Sequence, residues 1–340
     1  DRFAVVESSS HGLAQHRVRG TAYDVAVLTN VTSEHLEFHG SLEAYRAAKR
    51  SLFARLAVDE ENPDKGWGKH AVINGDDAEV ERAAAVAEAN GARVIRYGWA
   101  RTGGGGEGAE LDLTATSLQE DPSGMRVAME LGTWRGTVPL QLAGRFNVDN
   151  ALAAMGVAAA LGLDLDAAAK SVGALPAVPG RMQRIDEGQA FTVVIDYAHT
   201  AESLGKVLTE LRPPAGGRLI VAFGSAGDRD PSKREPMGQV AGEGADLVIV
   251  TDEDPRHEDR GAIIEAIARG VEAAGKRRGE DLLLVPDRAE AIAEAMRRAA
   301  PGDVVLLAGK GHEKTIETAL GEVPWDEAET AREALRAASG

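Results

Sequence analysis

The sequence predicts an α/β protein of two domains, the second built on a mostly parallel, doubly wound sheet. Three observations predict it. The chain has 340 residues, more than one ordinary domain. After Arg181, continuous apolar strands alternate with amphipathic helices, the pattern of parallel strands buried on both faces. Between the halves lies LPAVPGRMQ, in which Pro176, Pro179 and Gly180 break both helix and strand. The boundary is placed there, giving domains over 1–178 and 179–340.

In chain order, Phe3 to Val6 reads as the end of a strand entering a polar turn, with a helix starting near Ser10. A native chain seldom opens in mid-strand, so residues are expected ahead of Asp1. Val25 to Leu28 is a short apolar strand. It runs into Thr29, Asn30, Thr32, Ser33, Glu34, His35, Glu37 and His39. A helix begins near Ser41, and Leu42, Tyr45, Leu52, Phe53 and Leu56 fall at three- and four-residue steps on one stripe. Lys49 sits within that stripe. Two readings stand for it: a snorkelling lysine with its stem packed and its ammonium in water, or a desolvated lysine whose lowered pKa frees the amine for chemistry.

From about Val58 to Pro139 the character changes. Glu61 to Lys69 is a loop, Ala71 to Ile73 a strand followed by a turn and an alanine-rich helix, and Arg93 to Gly98 another strand. Gly103 to Gly106 is a flexible turn and no phosphate cradle, because no helix start follows it. Leu111 to Leu140 alternates, as in MRVAMELGTW, which predicts half-exposed antiparallel strands and a β-rich section. Gly144 to Leu163 is a helix entered by an Asn-rich turn, with Ala151, Ala154 and Ala158 as a face for close packing.

In the second half, strands are expected at Phe191–Asp196, Leu219–Phe223, Leu247–Thr251, Leu282–Val285 and Val304–Ala308. Helices are expected near Ala201–Leu211, Lys233–Glu243, Arg260–Ala274 and Arg288–Ala299. Ligands bind beyond the carboxyl ends of such strands. Polar and glycine-rich turns concentrate there: Asp196 to His199, Gly224 to Asp230, Asp252 to Arg256 and Gly309 to Glu313.

Composition narrows the function. A formal charge of −16 argues against a general nucleic-acid binder or an anionic-membrane binder, while leaving room for anions held by local arginines. With no cysteine, disulfides, thiolate metal sites and cysteine nucleophiles are excluded, and a cytoplasmic protein is the expectation. No apolar run reaches membrane-spanning length, and no signal peptide opens the chain. The sequence carries no signal for oligomeric state.

The motifs ESSSHGLAQHRV, LTNVTSEHLEFHGSLEAYRAAK, GRFNVDNALAA, PGRMQ, DYAHT, GSAGDRDPSKR, DEDPRHED and AGKGHE, in this order, closely resemble the Mur ligases of peptidoglycan synthesis. Among these the resemblance is to the branch that adds the third residue, a diamino acid. It spans essentially the whole chain. It implies a central ATP-binding ligase domain of phosphate-loop type, incomplete at its front, followed by a Rossmann-like amino-acid-binding domain. The implied reaction uses ATP to phosphorylate the carboxylate of UDP-N-acetylmuramoyl-L-alanyl-D-glutamate. The amine of meso-diaminopimelate, L-lysine or L-ornithine attacks the acyl phosphate, and phosphate leaves. Such chemistry rests on positioning and charge neutralisation, hence Mg²⁺ and cationic side chains.

By the same resemblance, Lys49 is the lysine that becomes carbamylated, and Glu7 and His35 are the other metal-side positions. Carbamylation needs a neutral amine, and it turns a cation into an oxygen ligand for Mg²⁺. Where the family usually has Asp, this chain has Glu34, which keeps the charge. Ser9, Gln15 and Arg17 match the residues gripping the UDP-muramoyl dipeptide; on their own they read as capping and surface polarity of a helix. Asn30, Asn147, Asn150, Arg181, Asp196 and His199 match nucleotide-side positions. Asp196 and His199 alone read as strand-end and helix-cap residues. Arg229, Glu253, Asp254, Pro255, Arg256, Gly309 and Glu313 match the amino-acid pocket, where an arginine suits a carboxylate and Glu313 an ammonium. A charged surface turn is the competing reading for each.

The relatives that add diaminopimelate usually read Asp-Asn-Pro-Arg where this chain has Glu253 to Arg256. Retained Arg256 favours a distal carboxylate, whereas Asp254 in place of an amide favours an ammonium, so the choice of amino acid stays open. No G-x-x-x-x-G-K-S/T occurs, and Gly309-Lys310 is a decoy because Gly311 follows. The family carries its phosphate loop ahead of the stretch resembling ESSSHG. A fragment of a longer ligase, inactive alone, is therefore expected. The alternative is a non-catalytic relative that binds an amino acid or a partner.

Overall fold

The computed structural model describes residues 3–31, 36–57, 67–100, 110–121, 124–142, 144–213 and 216–339. Glu34, His35 and the glycine run 103–106 lie outside them. The chain divides into two compact units, Asp1–Pro176 and Ala177–Gly340.

The first unit holds a six-stranded sheet in the order β1 to β6: Val25–Leu28, His70–Asn74, Arg93–Trp99, Leu113–Asp121, Gly124–Leu131 and Trp134–Leu140. β1 to β4 run parallel, and β5 and β6 are antiparallel additions. In the parallel part, successive residues serve opposite cores. Val25, Val27 and Val72 face the core under α5 (Phe146–Ala160) and α6 (Leu165–Gly173), while Ala26, Leu28, Ala71 and Ile73 face that under α4 (Val80–Ala89). β5 buries Met125, Val127 and Met129 on one side only, which accounts for the alternation read in the sequence.

Three expectations need correction. Phe3–Val6 forms no strand; its side chains are exposed and it pairs with no strand among the described residues. The helix bearing Lys49, α3, ends at Arg50, because Leu52 N–H bonds to Lys49 O at 3.2 Å and tightens the chain into a 3₁₀ turn at Phe53–Arg55. In α5 the packed face is Ala151, Met155 and Ala158, and Ala154 is exposed. The preceding helices are α1 (Ser10–Ala14) and α2 (Leu36–His39), with α3 over Leu42–Arg50.

The second unit is doubly wound as expected. Its strands are β7 (Gln183–Ile185), β8 (Thr192–Asp196), β9 (Leu219–Phe223), β10 (Leu247–Val250), β11 (Leu282–Leu284) and β12 (Val304–Ala308). The sheet order is β11-β10-β9-β12-β8-β7, parallel except for β7. Val193, Ile195, Ile220, Ile249, Val305 and Leu307 pack against α10 (Arg288–Arg298) and α11 (Glu327–Ser339). The intervening residues, such as Val194, Val221, Val248 and Leu306, are equally buried, on the face carrying α7 (Ala201–Glu210), α8 (Arg234–Gly244) and α9 (Arg260–Ala273). A separate antiparallel ribbon, β13 (Thr315–Thr318) and β14 (Gly321–Pro324), follows β12. No helix among the described residues is long and apolar enough to cross a membrane.

Helices α8 and α9 approach so closely that a Cβ on Gly238 would lie 2.0 Å from Ile267 O, and one on Gly270 would lie 2.0 Å from Glu235 O. In a helix interior, Gly→Ala gains up to about 1 kcal/mol of propensity, whereas overpacking costs about 1–3 kcal/mol. A backbone oxygen cannot rotate away, so the clash should dominate. Gly238→Ala is expected to lower the melting temperature; a rise would refute this account of the contact.

Candidate functional site

In the first unit, Lys49 is half-buried on α3, whose start is capped by Ser41 accepting Ala44 N–H at 3.2 Å. Its Nζ lies 5.7 Å from the centre of the Tyr45 ring, one turn earlier. The neighbouring face of α3 is differently employed. Arg46 and Arg50 both pair with buried Glu79, at the entry to α4, and Arg82 reaches the same carboxylate at 3.4 Å. Glu79 thereby ties α3 to α4 through the arginines, and no carboxylate among the described residues pairs with Lys49. Beside it, the rings of His11, Phe38, His39 and Tyr45 form a continuous cluster with centroids 4.1–5.5 Å apart.

Glu7 is exposed, a carboxylate of the hard-oxygen type that suits Mg²⁺. His35 is outside the described residues. Among those residues, no group of three or more acidic or histidine side chains is arranged to hold a metal. Ser9 caps α1, accepting Gly12 N–H at 3.1 Å, and Gln15 and Arg17 are exposed just beyond it.

Asn30 is exposed at the end of β1. The turns around it are fixed by Val31 N–H donating to Asp77 Oδ2 at 2.6 Å and by Asn74 Nδ2 donating to Thr29 O at 2.8 Å. Asn147 is buried near the start of α5 and accepts from Asn150 Nδ2 at 3.1 Å. Sequence reasoning missed their neighbours. The Arg145 guanidinium lies 4.0 Å from the Trp99 ring centre, and Trp99 Nε1 donates to Asp149 at 2.9 Å. Burial raises the Asp149 carboxyl against the opposing pull of that bond.

In the second unit the predicted turns do converge. Asp196, at the end of β8, is buried and accepts from Met182 N–H and Ala198 N–H, each at 2.9 Å; its backbone oxygen accepts Gly309 N–H at 3.1 Å. Burial raises its carboxyl, and the two N–H donors oppose the rise. The missed residue Tyr197 is the hub. Arg181 stacks 4.6 Å from its ring, the His199 and His312 rings lie at 4.8 and 5.3 Å, and its hydroxyl donates to Glu313 Oε1 at 3.2 Å. Burial, then Glu313, pushes the phenol up to about 12, so it stays a donor across the physiological range. Gly180 must be glycine: it has φ +66°, and a Cβ there would sit 2.2 Å from His312 N.

Lys310, a decoy as a phosphate-loop lysine, has a different position here. It is 1% exposed; its Nζ donates to Asp254 Oδ1 at 2.7 Å and lies 2.6 Å from Glu313 Oε2, an ion-pair contact without hydrogen-bond alignment. Asp254 therefore already has an ammonium, which corrects its reading as an anion waiting for the substrate's. Glu253 is buried with Oε2 unpaired, next to Gly309. Pro255 leads into Arg256, which takes φ +50° and donates from Nε to Glu317 Oε2 at 2.6 Å. Arg229 is exposed. Beneath the turns, fully buried Arg288 donates to Asp252 O at 2.9 Å, to Ala308 O at 2.8 Å and to Glu327 at 2.6–3.2 Å.

A doubly wound unit presenting charged turns at its strand ends, after a unit with a mixed sheet and a lysine-bearing helix, is the build of the Mur ligases, and the chain belongs to that family. In particular, residues 1–158 match the Mur ligase middle domain, and 180–311 match the Mur ligase glutamate ligase domain. The UDP-N-acetylmuramyl-tripeptide synthetase of Roseiflexus sp. (strain RS-1) is 46% identical over 98% of this chain and 64% of that protein. The UDP-N-acetylmuramoyl-L-alanyl-D-glutamate–2,6-diaminopimelate ligase of Thermosynechococcus vestitus is 40% identical over 98% of this chain and 63% of that protein. The chain thus spans less than two-thirds of the length of both. A solved 2,6-diaminopimelate ligase matches with a TM-score of 0.60 at 34% identity, over 98% of this chain and 64% of that one. The MurF ligase of Thermotoga maritima in complex with ADP shares the fold, with a TM-score of 0.64 at 22% identity, over 96% and 65%.

Proposed function

We propose that the chain is the central and C-terminal part of a cytoplasmic, ATP-dependent ligase of cell-wall biogenesis. It joins a diamino acid to UDP-N-acetylmuramoyl-L-alanyl-D-glutamate for peptidoglycan. The observation that carries the reading is the similarity to tripeptide-forming ligases along 98% of the chain, at 46% and 40% identity. In this reading residues 1–178 bind ATP and the UDP-muramoyl dipeptide, and residues 179–340 present the amino acid.

Ser9, Gln15 and Arg17 grip the UDP-muramoyl dipeptide; Asn30, Asn147 and Asn150 are the nucleotide-side residues of the first unit, and Arg181, Asp196 and His199 those of the second. Glu253, Asp254, Pro255, Arg256, Gly309, Glu313 and Arg229 orient the diamino acid. Tyr197 holds Glu313 by its hydroxyl, and Lys310 fixes the Asp254 carboxylate, so the pocket's polar groups are oriented before substrate arrives. Glu7, His35 and carbamylated Lys49 would hold Mg²⁺, which supplies charge neutralisation for phosphoryl transfer.

The test is ligation by the full polypeptide carrying this chain, supplied with ATP, the UDP-muramoyl dipeptide and each diamino acid. Phosphate release that depends on both acceptor and amino acid, with a tripeptide product, is expected. ATP turnover without that product would count against the reading.

A further inference from the structure

Glu317, on the ribbon strand β13, grips the Asp254–Arg256 turn at three points. Its backbone oxygen accepts Arg256 N–H at 3.0 Å, and its N–H donates to Asp254 Oδ1 at 2.9 Å. Its carboxylate accepts from Arg256 Nε at 2.6 Å, while Arg256 Nη1 donates to Gly227 O at 3.3 Å. A guanidinium recognises a carboxylate best through two parallel N–H bonds. With Nε engaged by Glu317, the Nε edge of Arg256 is already committed inside the protein. The Glu317 side chain is 43% exposed, so its carboxylate is within reach of a ligand at this turn.

The formal charge around the turn agrees. Glu253, Asp254, Glu313 and Glu317 supply four carboxylates against Lys310 and Arg256, and four minus two leaves a net −2. Adding Arg181, stacked on the Tyr197 that bonds Glu313, still leaves −1. Diaminopimelate brings two ammonium groups and two carboxylates; lysine and ornithine bring one carboxylate and a net positive charge. An anionic lining favours the latter.

We propose that Glu317 is a specificity-determining residue that makes this pocket select a diamino acid without a distal carboxylate, lysine or ornithine, over diaminopimelate. The distal carboxylate of diaminopimelate must either displace Glu317 from Arg256 or lie against it, and like charges brought together are disfavoured. This inference rests on the ligase reading above.

The experiment is competition between meso-diaminopimelate, L-lysine and L-ornithine for the full polypeptide, in the native sequence and as Glu317→Gln and Glu317→Ala. Expected is a kcat/KM for lysine or ornithine at least about tenfold above that for diaminopimelate. The ratio should shift toward diaminopimelate by about tenfold in both variants. The native comparison needs no substitution, so a variant that fails to fold does not remove the test. A native preference for diaminopimelate, or an unshifted ratio in folded variants, overturns the proposal and leaves the ligase reading standing. Ligation of none of the three overturns both.

Discussion

Lys49→Ala in the full polypeptide is expected to lower ligation by at least about 100-fold, and added bicarbonate should not restore it. The side chain projects from α3 beside the face clamped to Glu79 by Arg46 and Arg50, so its loss leaves the helix anchored. A fall in turnover with unchanged thermal stability would therefore report chemistry. Under the proposed reading, the alanine variant has no amine to take up CO₂ and no oxygen to offer a hard cation. Near-normal turnover would remove Lys49 from the site. A short-chain acid that rescued the variant would support the carbamate directly, since it returns the missing carboxylate.

Arg288→Ala should cost about 3–5 kcal/mol of stability. Arg288 is fully buried, ion-paired to Glu327, and spends its remaining donors on Asp252 O and Ala308 O. Removing it leaves the buried Glu327 carboxylate with the Trp325 Nε1 bond but no counter-ion, and takes the guanidinium donor from Asp252 O and Ala308 O. Urea unfolding of the native and substituted chains gives the difference. A loss below about 1 kcal/mol would mean the pair is replaceable by water and does not brace the turns. Arg288→Lys should recover little, because an ammonium cannot reproduce the fork that reaches three elements at once.

The strands of the second unit were legible because burial on both faces leaves uninterrupted apolar runs such as LIVAF and VVLLA. The antiparallel β5 was legible for the opposite reason, since one-sided burial leaves an alternation. Phe3–Val6 had the composition of a strand, but pairing is a property of neighbours and none pairs with it among the described residues. The strand-end turns were legible as turns, and they do meet: Tyr197 bonds Glu313, Lys310 bonds Asp254, and Gly227 N–H donates to Asp254 O. What the turns do to one another was not legible. Lys310 meets Asp254 across 56 positions of sequence, and Glu317 meets Arg256 across 61. No local pattern distinguishes a buried counter-ion from a surface charge. The Trp99–Arg145 stack escaped notice for the same reason: it joins a strand end to a helix start that the sequence holds far apart.

The ribbon of β13 and β14 lies outside the six-stranded sheet and meets the turn at Arg256 through a bridge at Thr318. Its residues are half-buried in β13 and exposed in β14, so they carry fewer of the packing demands that hold β8 to β12 in place. If the side chain at Glu317 filters the substrate, then dietary preference, so to speak, can drift in a peripheral appendage while the machinery of bond formation is inherited intact. Two ligases with the same turn motif could then build chemically different walls, and the ribbon would be the place to look for the difference.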